Sequence, residues 1–207
     1  MVTSSSAPLS RTERAALADL LDRLGPDQPT CCEGWTTRHL AAHLVVRDRR
    51  PDSAPGAVVG GPFGAWTERL LARARTELDW PELVAAVRSG PPRWMPTSWP
   101  AVDKLVNAVE MAVHHEDVRR AQPSWEPRDL PREVQDQLWG AVPFLARAGR
   151  AGRAGSLLFR RSDVEGAQKR VGRGEPTTTV TGEPMELLLW AGGREGVARV
   201  TLGAPAT

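Results

Sequence analysis

The chain has 207 residues, 41% hydrophobic and 25% charged, with a formal net charge of +2. That is a globular composition, long enough for one large domain or one domain with a small appendage. The basic residues are dispersed, so no nucleic-acid footprint follows, and no run reaches the roughly 18 apolar residues that a membrane span needs.

The start, MVTSSSAPLS, is polar and lacks the apolar centre of a secretory signal, so a cytoplasmic protein is expected. Ser10 followed by Glu13 has capping-box spacing and predicts a first helix. Leu17, Leu20, Leu21 and Leu24 share one of its faces, and Gly25-Pro26 ends it. Cys31 and Cys32 come next, the only two cysteines. Neighbours in sequence rarely reach disulfide geometry, so reduced thiols are expected. Each reads as a small buried hydrophobe, with soft metal ligation as the alternative. A second helix opens near Thr36 or Thr37, carries Leu40 and Leu44, and stops before Pro51.

The Gly- and Pro-rich run from Pro51 to Pro62 predicts a loop. A third helix follows over residues 64–78, with a short helical continuation from Pro81 to about Arg88. Gly90 to Pro100 reads as a second loop, holding Trp94, Met95 and Trp99. The eight tryptophans mark core and pocket walls. A fourth helix is expected over 101–121 without a single apolar stripe, and a fifth from Pro131 to about Ala148, kinked at Pro143. The Arg-rich stretch from Arg147 to Arg161 reads as a solvated connector. Beyond Gly155, short strands are expected at 157–159, 177–181 and 197–202, with a short helix at 186–190. The domain reading is a helical bundle over 1–150 and a small C-terminal α/β domain over 151–207.

The four histidines fall in two clusters, His39 and His43 on the second helix and His114 and His115 on the fourth. His39 and His43 are four apart, as are Glu110 and His114. That spacing puts both members of a pair on one helix face, with Cβ atoms about 5–6 Å apart. Two such pairs supply up to four nitrogen or oxygen ligands. Three of them plus water is the pattern of an open zinc site, and imidazole with carboxylate suits zinc, nickel or iron(II) better than magnesium or calcium. Asp117, one turn beyond His114, is placed to accept a ligand's ring N–H, with Asn107 a weaker candidate for support. The competing reading of Glu116 and Asp117 is helix-surface ion pairing with Arg120. Arg47 and Arg50 are candidates for holding a carboxylate of substrate or cofactor, set against a plain role at the helix C-terminus.

Three stretches resemble an actinobacterial family of metal-binding proteins: CEGWTTRHLAAHL from Cys32, RDRRPD from Arg47, and NAVEMAVHHEDVRRA from Asn107. That family belongs to the DinB-like superfamily and is similar to the N-terminal domain of mycothiol-dependent maleylpyruvate isomerase. The tail VTGEPMELLLW from Val180 looks like the small C-terminal domain that accompanies it. The resemblance implies a mainly α fold, a four-helix bundle with a small C-terminal α/β appendage, and a metal held by His43, Glu110 and His114. It leaves His39 off the metal, supporting a ligand or lining the pocket. It also implies a divalent metal, zinc first with nickel or iron as alternatives, and a low-molecular-weight thiol such as mycothiol or bacillithiol. The expected function is thiol transfer to an electrophile, or thiol-assisted isomerisation, in a monomer or homodimer without nucleic acid or membrane. The alternatives are a non-catalytic metal or small-ligand binding module and a hydrolase using metal-bound water.

Overall fold

The computed structural model describes residues 7–53, 61–149 and 155–206. Helix α1 spans Leu9–Leu24 and buries Leu17, Ala18 and Leu21. Its start is not the expected capping box. Pro8 is the N-cap, and Ser10 and Glu13 are buried and used elsewhere: the Ser10 hydroxyl donates to Asp103, and Glu13 pairs with His115. Helix α2 spans Thr37–Arg49. His39 turns back to the Thr36 N-cap, its Nδ1 3.2 Å from the Thr36 backbone nitrogen and 2.9 Å from the hydroxyl. This histidine therefore closes the first turn of its own helix.

A 3₁₀ turn at Pro51–Ser53 follows, and the rest of the expected loop lies mostly outside the described residues. Helix α3 spans Gly61–Glu77. Helix α4, Trp80–Ser89, is a separate helix and not a continuation. Asp79 and Glu82 exchange hydrogen bonds across its first turn, a capping box that restarts the chain. A 3₁₀ turn at Pro96–Ser98 leads to a helical turn at Pro100–Val102, a π-helical stretch at Asp103–Asn107, and then helix α5, Ala108–Arg119. Helix α5 is buried on all sides: nine of its residues, from Ala108 to Val118, are buried. That is why its sequence shows no single apolar stripe.

The chain separates into two compact units at 125/126, where the sequence reading put the boundary at 150/151. In the first unit α1 packs on α4 and α5, while α2 packs on α3 and α4. Leu17, Leu21, Leu40, Leu44, Leu83, Val87 and Met111 form its core.

In the second unit, α6 (Arg132–Gly149) and α7 (Pro184–Ala191) pack on each other and cover a sheet of β1 (Gly155–Arg161), β2 (Gln168–Arg173), β3 (Thr177–Gly182) and β4 (Thr201–Ala206). The strand order is β2-β1-β3-β4, with β1 and β3 parallel and both outer strands antiparallel to their neighbours. The fifth predicted helix thus belongs with this sheet, because its apolar stripe of Leu138, Val142 and Ala146 is buried there beside α7. The strand β2 escapes a hydrophobicity reading, since QKRVGR buries only Val171 on an edge. Of the Arg-rich stretch, residues 150–154 lie outside the described set. Arg147 and Arg160 are exposed, whereas Arg161 is buried and paired with Asp136 and Asp163. Among the described residues the molecule is mainly α, with a small C-terminal sheet.

Candidate metal centre

Helices α2 and α5 each present one turn of polar side chains to the same point. His43 and Arg47 are four apart on α2, and Glu110 and His114 are four apart on α5, so each pair shares a face. His43 Nε2 lies 3.1 Å from Glu110 Oε1, and His114 Nε2 lies 3.3 Å from the same oxygen. The three donor atoms fall within 4.8 Å of one another. A tetrahedral ion with nitrogen and oxygen ligands at about 2.0–2.2 Å separates neighbouring donors by about 3.3–3.6 Å. The residues therefore fit a divalent ion with small adjustments.

His114 is held from behind. Its Nδ1 is 2.8 Å from Asp117 Oδ2, and Asp117 is 1% exposed. The Cys32 thiol donates to that same Asp117 oxygen at 3.3 Å, and the Cys31 backbone N–H donates to the Asp117 carbonyl. Neither cysteine is in a disulfide. On the other side of the site, Arg47 Nε is 3.3 Å from Glu110 Oε1. Arg47 Nη1 donates to Asn107 at 2.9 Å and to Asp48 at 3.1 Å. Both acceptors are buried. Asp48 also pairs with Arg14 of α1, and Asn107 donates to Asp103 and to the Thr97 carbonyl. The π-helical stretch thus carries a buried amide that fixes the guanidinium, in keeping with the frequent siting of such turns at functional positions.

Burial of Glu110 opposes its ionisation, but hydrogen bonds from His114 and His43, then the charges of His114 and Arg47, outweigh it. They hold the carboxyl well below its ordinary value. Burial opposes the charge on His114 as well, yet contacts to Asp117, Cys32 and Glu110 raise it well above an ordinary imidazole. Without a metal, the site is an ion pair between His114 and Glu110, and an incoming cation must displace the His114 proton.

A cavity of about 500 Å³ opens beside these groups, its wall including His43, Glu110, Arg47, Val46, Leu71 and Met95. Thr97 is also on that wall, and its buried hydroxyl oxygen has no hydrogen-bond partner among the described residues. The Trp35 ring meets His43 at a tilt of 51°, with 5.3 Å between ring centroids.

The sequence-predicted ligands His43, Glu110 and His114 are thus brought together, and Asp117 lies where a supporting carboxylate was expected. Glu116 pairs with both Arg119 and Arg120, but in the interior and not on the helix surface. His39 is in the first turn of α2, bonded back to the Thr36 N-cap, and belongs to neither donor group at this centre. Arg47 reaches the centre. Arg50 lines the same cavity but forms two hydrogen bonds to Asp52, whose carboxyl is pulled down to about 2 mainly by this arginine. Trp94 and Trp99 are exposed, at 64% and 58%, and are not wall residues of this cavity. The Arg14–Asp48–Arg47 chain and the Met95–Pro96–Thr97 wall had no signal in the sequence, since nothing in residue spacing links α1 or that turn to the site.

No protein-family model matches the chain, and no curated protein matches it in sequence. Among solved structures, it is similar to a mycothiol-dependent maleylpyruvate isomerase at 16% identity and a TM-score of 0.65, over 96% of this chain and 92% of the other. A histidine-to-alanine mutant of that enzyme matches at 15% identity and a TM-score of 0.63, with the same coverage. At such identities the likeness establishes a shared fold, and no helix among the described residues is long and apolar enough to cross a membrane.

Proposed function

We propose that this chain is a metal-dependent enzyme of low-molecular-weight thiol chemistry, one that transfers a thiol to an electrophile or isomerises a substrate with a thiol's help. The observation that carries the reading is the convergence of three donors from two helices on one point beside a cavity large enough for a small organic molecule. The fold shared with a mycothiol-dependent isomerase supports the choice of a thiol over water. The resemblance of the first unit to DinB-like bundles agrees with it. His43, Glu110 and His114 would hold the ion, with zinc the first choice and nickel or iron(II) the alternatives for this donor set. When bound with three protein ligands, such an ion keeps one position open and lowers the pKa of a thiol or water placed there.

The chain's own groups do the rest. Asp117 fixes the ring of His114 and keeps its proton on Nδ1, so that Nε2 is the ligating atom. Arg47 keeps Glu110 ionised and presents a guanidinium, pre-set by Asp48 and Asn107, to a carboxylate in the cavity. Val46, Leu71 and Met95 exclude water from the neighbourhood and receive the apolar part of a substrate.

The test is metal exchange. Tag-free protein is stripped, loaded with cobalt(II) in a Cys31→Ser, Cys32→Ser background, and titrated with mycothiol, bacillithiol and glutathione. A saturable sulfur-to-cobalt charge-transfer band is expected, with affinity ranking the thiols. If no thiol alters the spectrum while small oxyanions do, the reaction runs through metal-bound water. If nothing alters it, the protein is a binding module.

A further inference from the structure

We propose that Cys32, Asp117 and Nδ1 of His114 form a second cation site, taking a thiophilic divalent ion such as zinc or cobalt on the opposite edge of the imidazole that serves the first. The inference shares His114 and its supporting Asp117 with the function proposed above, and an ion here takes the place of the Nδ1 proton that Asp117 otherwise holds. Its basis is a second convergence of donors: a thiol, a carboxylate and a ring nitrogen whose ligating atoms all lie within 4.8 Å of one another. Cys32 Sγ is already 3.3 Å from Asp117 Oδ2. With a metal–sulfur bond of about 2.3 Å and nitrogen or oxygen bonds of about 2.0–2.2 Å, donor separations of about 3.3–3.6 Å are required. The 2.8 Å between His114 Nδ1 and Asp117 Oδ2 must therefore widen by about 0.5–0.8 Å, a side-chain adjustment.

The charges close as well. Thiolate, carboxylate and dication together are neutral, which suits a place where Asp117 is 1% exposed. With both sites filled, His114 bridges as an imidazolate. Glu110, Asp117, the Cys32 thiolate and the imidazolate then match the charge of two dications. Two protons leave to solvent with the second ion, one from the Cys32 thiol and one from Nδ1. Thiolate ligation is what makes this site selective for soft ions over magnesium or calcium. Cys32 is only partly buried, unlike Asp117 and His114.

Serine separates ligation from support. In Cys32→Ser the hydroxyl still donates to Asp117 and keeps His114 oriented, but it does not ligate as a thiolate. Cobalt(II) titrations are made on chelator-stripped, tag-free protein in a Cys31→Ser background, with Cys32 intact, Cys32→Ser, Cys32→Ala and Glu110→Gln. With Cys32 intact, two equivalents and a sulfur-to-cobalt charge-transfer band are expected. Both Cys32 variants should take one equivalent without the band, and Glu110→Gln should keep the band while its other equivalent weakens. Far-ultraviolet circular dichroism checks folding of each. One equivalent without the band when Cys32 is intact, abolished by Glu110→Gln, would overturn the second site and leave the first standing. A band that persists with a single equivalent untouched by Glu110→Gln supports the second site and sinks the first.

Discussion

Two histidine nitrogens and one guanidinium nitrogen crowd around a single carboxylate oxygen, and each of the three has its own expected signature. His43→Ala should release the ion it shares with Glu110, read as the fall of about one ion per chain in elemental analysis, and His114→Ala should release that ion together with any held by Cys32 and Asp117. Full occupancy in both would mean that the ion sits elsewhere. Asp117→Asn keeps the shape but weakens the acceptor for Nδ1–H, and a loss of about 10–100-fold in metal affinity is expected. Arg47 gives a different signature. It touches Glu110 from outside the ligand set, so Arg47→Met removes a cation without removing a ligand. Metal should stay, while a carboxylate-bearing substrate or thiol should bind about tenfold more weakly, seen in KM with kcat less affected. Loss of metal in Arg47→Met would make the guanidinium a structural prop and not a recognition group.

At the scale of elements, what was legible in the sequence depended on which force places each one. The four-residue spacing of Glu110 with His114 works through helix periodicity, but the same rule pairs His39 with His43, and only the family resemblance leaves His39 out of the ligand set. Ser10 and Glu13 misled for the same reason that they matter: their spacing matches a local cap, but Asp103 and His115, on the segment packed against α1, claim both side chains. The strand β2 was invisible because its register is set by pairing with β1 and not by its own apolar content. Its Gly172 has φ of +87°, and a Cβ there would sit 2.7 Å from the Gly155 carbonyl oxygen. Gly172→Ala should therefore destabilise the second unit by more than about 1 kcal/mol, measured by denaturant unfolding. His39→Ala tests the opposite kind of element. The ring caps α2 and touches no ligand, so metal occupancy should persist while stability falls by about 0.5–1 kcal/mol. Complete metal loss in that variant would point to a closed, four-ligand site.

For the molecule as a whole, the site couples folding to both pH and metal, and the sign of each term can be worked out. Glu110 is depressed in the folded chain, so its contribution to stability is present above its ordinary value near 4.5 and is lost as pH falls below it. His114 is raised, so its contribution is complete below its ordinary value near 6.5 and is lost as pH climbs through the higher folded value. Metal-free protein should therefore draw most from this pair between about pH 4.5 and 6.5. The loaded protein behaves oppositely at the alkaline end, because the ion takes the place of the His114 proton and binds more tightly as that proton leaves. Ligand binding to the folded state alone adds stability as the logarithm of ligand concentration over Kd, so the gain must grow as Kd falls. The Tm difference between loaded and stripped protein should be small near pH 5 and should go on widening above about pH 7.5, beyond the point where an ordinary histidine would have largely finished titrating. Paired thermal scans across that range check it. A difference that is flat with pH, or complete by about pH 7.5, would show that no raised histidine proton competes with the ion, and His114 would lose its place as the residue where proton and metal exchange.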